Sequence, residues 1–286
     1  MSNLLVKMSK SVAKSVIPYG VRHAIRKKFP AMSATHLSPA TLGSRPAAEP
    51  PQLGSLWLDR LQRDKLNLID VAVRRFRPQS FADLGGVWGV DAGYSFYTLE
   101  HHGIARGTLV DYQITEAVRD RQRFHPGFRL LTGPFGSPEM ARHVGPVDMV
   151  MMFYVLVHQA DPNWDEVLQM YATQTSHFLI VNPQYDLPTT LRLIDCEPAD
   201  YFRHVRLTRA DSPYREAFAD LDQIDPAVNK PYRTSPTLWQ WGITDGDLIA
   251  TVRSLGFKLE YYQTGLVWPM PHVQSNAFLF RKTRNS

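Results

Sequence analysis

The residues best placed to do chemistry form one run, Phe81-Ala-Asp83-Leu-Gly85-Gly86-Val-Trp88-Gly89-Val-Asp91-Ala-Gly93-Tyr94. It puts a carboxylate at the end of an apolar stretch and glycines where a strand must turn sharply and let a ligand approach the backbone. Amides at the start of the following helix then face that ligand. A dinucleotide fingerprint needs G-x-G-x-x-G, and Val87 stands where its second glycine would be, so a nicotinamide or flavin site is disfavoured. Further along, Asp111 closes a short apolar run, and Tyr154 and His158 follow the nearly all-apolar stretch from Val147. His158, with an ordinary pKa near 6.5, is the best general-base candidate, with Tyr154 and His204 behind it. No cluster of oxygen ligands is recognisable, and adjoining His101 and His102 on a helix point in different directions, so no metal is expected.

The elements that must hold these residues alternate. Apolar residues from Leu56 to Phe76 recur at helical spacing up to Pro78. Five strands are expected at Ser80–Leu84, Gly107–Val110, Phe128–Thr132, Val147–Val155 and His177–Val181, with helices at Tyr94–His101, Ile114–Phe124, Pro138–His143 and Asn163–Thr173. A helix from Thr244 to Leu255 and a terminal pair, Phe257–Tyr262 and Asn276–Phe280, complete the chain. The spacing predicts an α/β fold, a Rossmann-like doubly wound seven-stranded sheet ending in an antiparallel hairpin. The alternation lapses over about 55 residues after Pro183. A stretch of that length in a compact domain reads as an inserted lid or substrate segment, at about 186–240.

With Asp83, Gly85 and Gly89 at the end of the first strand, Asp111 at the end of the second, and the run from Asp148 to His158 as the fourth strand and its loop, the chain resembles the class I S-adenosylmethionine-dependent methyltransferases. Val87 departs from that family's x-G-x-G-x-G pattern. The resemblance covers about 200 residues and implies S-adenosylmethionine as cofactor. By it, Asp83 helps hold the ligand's ammonium group, Gly85, Gly86 and Gly89 give backbone access, and Asp111 accepts both ribose hydroxyls. Tyr112 would flank the adenine, and Phe135 would lie where the family contacts the base. The implied activity is methyl transfer to a polar, hydroxyl-bearing acceptor, and a basic amphipathic N-terminal arm with an inserted segment rich in Arg, Tyr and Asp would suit a glycan or lipid-linked saccharide. Small-metabolite O- or N-methylation, and a non-catalytic scaffold in a membrane-associated biosynthetic complex, are the alternatives.

Composition bounds these readings. The 286 residues carry a formal charge of +5, yet residues 1–48 hold eight basic and no acidic side chains, which leaves the remainder at −3. A phosphate-binding track for nucleic acid is therefore not expected on the main domain. In residues 1–29, Leu4, Leu5, Met8, Val12 and Val16 share one helical face while Lys7, Lys10 and Lys14 lie opposite. That arm suits an anionic membrane surface, packing on its own domain or a neighbouring subunit, or a transit peptide. Residues 30–54, rich in Pro and Ser, read as a linker, and 55–286 as the catalytic domain. No stretch reaches the roughly 20 apolar residues of a membrane span. A single cysteine fits a reducing compartment, so a cytoplasmic protein, peripheral on the membrane through its arm, is expected; a homo-oligomer stays open.

Overall fold

A computed structural model describes residues 61–205, 213–267, 270 and 272–283. The arm at 1–29 and the linker at 30–54 lie outside these residues. Helix α1 (Arg63–Phe76) leads into β1 (Ser80–Leu84), α2 (Gly93–His102), β2 (Arg106–Asp111), α3 (Glu116–Gln122), β3 (Phe128–Thr132), α4 (Pro138–Val144), β4 (Val147–Phe153), α5 (Trp164–Ala172) and β5 (Thr175–Tyr185). After an inserted segment come α8 (Asp245–Ser254), β10 (Phe257–Val267) and β11 (Val273–Lys282).

The seven strands lie in the order β10-β11-β5-β4-β1-β2-β3. The five from β1 to β5 are parallel, and β11 runs antiparallel between β5 and β10. Alternation within β4 shows why the sheet is buried on both faces: Met149, Met151 and Phe153 enter one apolar cluster with α1 and α2, and Val150 and Met152 enter the other with α5 and α8. The chain leaves β1 and turns outward to β2, then leaves β3 and crosses back to β4, so the strand order reverses between β1 and β4. Ligands of open α/β sheets bind at the carboxyl ends of strands beside such a switch point.

Local chemistry sets the helix ends. The hydroxyls of Thr115, Ser137 and Thr244 accept the backbone N–H of Val118, Met140 and Asp247. α1 stops at Arg77, whose left-handed φ of 47° precedes Pro78. The terminal strands are longer than expected because β11 pairs with β5 from Val273 to Arg281, which extends both past their apolar centres.

The inserted segment is not structureless. It contains β6 (Leu191–Arg192), α6 (Pro198–His204), α7 (Pro213–Ala219), β7 (Ile224–Asp225), β8 (Lys230–Pro231) and β9 (Trp241–Gly242), with β6 paired to β9 and β7 to β8. Leu193, Ile194, Tyr201, Val205, Leu238 and Trp239 give it an apolar core of its own, into which Val157 and Tyr185 reach from the main domain. Its buried Asp225 accepts hydrogen bonds from the Ser235 and Thr237 hydroxyls, at 2.6 and 2.5 Å, and its Oδ1 accepts from Ala227 N–H at 2.9 Å in the β7–β8 turn.

Candidate functional site

The carboxyl ends of β1, β2 and β4 bring together most of the residues singled out from the sequence. Asp83 is buried at the end of β1, and its Oδ2 accepts from the Ser95 hydroxyl at 2.7 Å. Its Oδ1 is buried with no hydrogen-bond partner among the described residues. Burial pushes this carboxyl up to about 7, against the lowering effect of the Ser95 bond. Gly86 is a glycine for want of space, because a Cβ there would stand 2.2 Å from Asp83 Oδ2. Gly85 and Gly89 take φ of +76° and +74°, and a Cβ on Gly85 would also meet Val155 Cγ1 at 2.7 Å.

Val87 fits this loop for a visible reason. Its side chain is buried in the cluster under α2, so it does not project across the turn, and its N–H donates to Asp111 Oδ2 at 2.9 Å. The backbone at the non-glycine position therefore fixes the carboxylate that ends β2. Gln113 N–H reaches the other oxygen, Oδ1, at 3.4 Å. Burial raises the Asp111 carboxyl and these backbone bonds oppose the rise. Each oxygen keeps accepting capacity for a ligand. Thr115, the cap of α3, donates to Asp91 Oδ1 at 3.0 Å and ties the far end of the glycine turn to the β2–α3 loop. Tyr112 is exposed beside Asp111, whereas Phe135 is buried with its ring edge against Gly85, so it packs under the turn.

At the end of β4, Tyr154 adopts a left-handed φ of 61°, a strained conformation for an aromatic residue. This turn ends the strand two residues before the expected Val155. The Tyr154 hydroxyl shares a 2.8 Å hydrogen bond with Ser275, and burial raises its pKa. His158 follows in a short 3-10 turn. Its Nδ1 lies 2.8 Å from the carbonyl of Leu238; a carbonyl only accepts, so Nδ1 carries the hydrogen and Nε2 keeps a lone pair. Desolvation holds this imidazole down at about 4, despite the carbonyl bond, so it is neutral at physiological pH. His204 lies apart in the inserted core: Tyr185 stands between it and Trp239, which in turn packs edge-on against His158.

Sequence reasoning missed Lys65. Its side chain is buried, with Nζ 3.5 Å from the ring centre of Tyr154, 5.2 Å from that of Tyr94 and 5.8 Å from that of Phe153. Desolvation lowers it to about 7, opposed by the nearby charges of Asp64 and Asp83. The signal was present, since Lys65 occupies the same helical face as Leu61, Leu68, Ile69 and Ala72 and is the one charge among them. The first turn of α1 is held over the site by Gln62 N–H donating to the Tyr94 hydroxyl at 2.9 Å and by Ser275 donating to Asp64 Oδ2 at 3.3 Å.

His101 and His102 correct the expectation that they diverge. Ligand atoms of both, with one of Asp70, lie within 4.8 Å of one another. Asp70 is already engaged, accepting from Tyr97 Oη at 2.8 Å and from His102 Nε2 at 2.9 Å, with Arg74 3.9 Å away. The group sits at the far end of α2, about 15 Å along the helix axis from the glycine turn.

No family model matches the sequence, and no curated protein matches it. Solved structures do. The 1,6-didemethyltoxoflavin-N1-methyltransferase of Burkholderia thailandensis, determined with 1,6-didemethyltoxoflavin and S-adenosylhomocysteine bound, aligns with a TM-score of 0.50 at 14% identity over 80% of this chain and 81% of its own. An O-methyltransferase family protein from the same organism matches at 15% identity and TM-score 0.46, over 80% of this chain and 59% of its own. A putative O-methyltransferase from Nostoc punctiforme matches at 12% identity and TM-score 0.44, over 77% and 56%. This chain thus spans less than two thirds of the latter two proteins. With the strand order and the antiparallel β11, the first match shows that the fold is that of the class I S-adenosylmethionine-dependent methyltransferases.

Proposed function

We propose that this chain is an S-adenosylmethionine-dependent methyltransferase acting on a small-molecule acceptor. The observation that carries the reading is the pair of carboxylates at the switch point: Asp111, anchored through Val87 N–H, and Asp83, with one buried oxygen unsatisfied among the described residues. Burying a carboxylate oxygen without a partner costs free energy that a cationic ligand group at Asp83 would recover. Asp111 would take the ribose diol, Gly85, Gly86 and Gly89 would let the nucleoside approach the backbone, and Tyr112 would flank the adenine. Phe135 would support that pocket from beneath the turn.

Bound here, S-adenosylmethionine supplies a methyl group already activated on a sulfonium, so the protein's task is to place an acceptor in line with it. The inserted segment, docked on the loop after β4 through Gln240 N–H to Val157 O and Trp241 Nε1 to Gln159 O, would cover the acceptor and exclude water. His158 Nε2 would accept a hydrogen bond from an acceptor hydroxyl; its lowered pKa makes it a weak base, suited to orienting more than to removing a proton. Tyr154 would line the same cleft, and His204 would support the inserted core.

A small acceptor is supported by the fold match to a methyltransferase whose structure holds bound 1,6-didemethyltoxoflavin. No helix of the described residues is long and apolar enough to cross a membrane.

Calorimetry with S-adenosylmethionine and S-adenosylhomocysteine tests the cofactor assignment. Binding weakened at least about tenfold in Asp111→Ala is expected. Absence of heat with folded protein would favour a non-catalytic scaffold. S-adenosylhomocysteine release, followed across small metabolites and saccharides, then sorts the acceptors, and turnover confined to saccharides would overturn the small-molecule reading.

A further inference from the structure

Three aromatic rings, one buried lysine and one unsatisfied carboxylate oxygen meet at the carboxyl ends of β1 and β4. Tyr94, Phe153 and Tyr154 surround Lys65 Nζ at 5.2, 5.8 and 3.5 Å from their ring centres, the arrangement by which aromatic faces hold cations. Lys65 lies close enough to Asp83 for each to influence the other's charge. Such a cage is selective for positive charge, yet here the chain fills it with its own side chain.

On the reading of the site given above, the ligand's cationic tail also belongs at Asp83. Resting on that reading, we infer that Lys65 is a resident cation in the cofactor's cation subsite: it competes with a positively charged ligand for the aromatic cage and for Asp83, and it must leave the cage or lose its proton when that ligand binds. Two positive charges in one buried pocket repel strongly, whereas a neutral nucleoside meets no such opposition. Lys65 thereby sets how far the protein favours ligands with a positive tail over the nucleoside portion alone.

The groups around Lys65 decide the pH behaviour. Asp64 faces it from its own helix, Asp83 from β1 with Asp111 behind, Tyr94 from α2, and Tyr154 from the turn after β4. Both tyrosines are pushed upward by burial and stay neutral across the working range. Lys65, lowered to about 7, is charged at pH 6 and mostly neutral near pH 8.5. Asp83, itself pushed up to about 7 by burial, is mostly protonated at pH 6 in wild type and variants, so the difference between the proteins at that pH reports the lysine's charge.

Lys65→Met and Lys65→Gln keep an unbranched stem, one atom shorter, and remove the charge. Calorimetry of S-adenosylmethionine, S-adenosylhomocysteine and adenosine against the wild type and both variants, at about pH 6 and pH 8.5, reads the effect. Each comparison is made between proteins at one pH, which cancels the ligands' own titration. At pH 6 both variants should bind S-adenosylmethionine at least about tenfold more tightly than the wild type, with the advantage shrinking at pH 8.5 and adenosine affinity changing less than about twofold. Equal or weaker S-adenosylmethionine binding by folded variants that still bind adenosine overturns the inference and leaves the cofactor reading intact. If none of the three ligands binds any of the proteins, the cofactor reading fails and the inference with it.

Discussion

Single atoms decide how the glycine turn tolerates change. Gly86→Ala would drive a Cβ into Asp83 Oδ2 and disturb its bond to Ser95, so a loss of about 2 kcal/mol is expected, with weakened nucleoside binding. Gly89 has nothing within 4 Å of a Cβ but a φ of +74°, so Gly89→Ala should cost only about 1 kcal/mol of backbone strain. Urea titration of the two variants orders them, and equal losses would refute the steric account. His158 makes a pH prediction. Its folded value of about 4 lies below the ordinary 6.5, so the folded state binds fewer protons between those values. Stability from this residue is whole above about pH 6.5 and declines as pH falls toward 4, by at most about 3 kcal/mol. The wild type should therefore lose more stability than His158→Gln between pH 7 and 4.5, and parallel losses would exclude the residue as the cause. The identity of these residues was legible in the chain; Lys65 stood out only as the one charge on an apolar helical stripe, and nothing local says that its ammonium sits among aromatic rings beside Asp83.

Among the elements, the helix caps link local sequence to the site. Thr115 caps α3 and also donates to Asp91, so Thr115→Ala should cost about 1 kcal/mol and loosen the glycine turn. Thr244 caps α8 on the other face of the sheet, and Thr244→Ala should cost a similar amount. Nucleoside affinity separates them: only the Thr115 variant should weaken it, and an equal effect from both would refute the role of the Asp91 tie. The five parallel strands and the helices between them were readable, since strands buried on both faces are continuously apolar and their helices carry capping residues. The ends of β5, β10 and β11 were not. Pairing between distant segments extends them through Asn182, Gln184, Gln263 and Gln274, which an apolar pattern leaves out.

Across the whole molecule, the inserted core and the main domain act on one another at His158. Trp239 is buried in the inserted core and packs against that imidazole, so Trp239→Ala should cost about 3 to 5 kcal/mol and let the His158 pKa rise toward 6.5 as water enters. An unchanged imidazole titration by NMR would show that the inserted segment does not control the site. The linear chain by itself determined the alternation of elements, the sharp turn after β1 and the carboxylates ending β1 and β2, because strand burial, glycine geometry and local capping are short-range properties. It also marked 186–240 as an interruption, though not as a folded unit. Only the tertiary structure decided that Val87 points into the core while its amide holds Asp111, that Leu238 fixes the tautomer of His158, and that Lys65 lies within an aromatic cage beside Asp83. Those outcomes depend on groups brought together from 18 to 89 positions apart along the chain, and on the exclusion of water from the space they enclose, which no local pattern encodes.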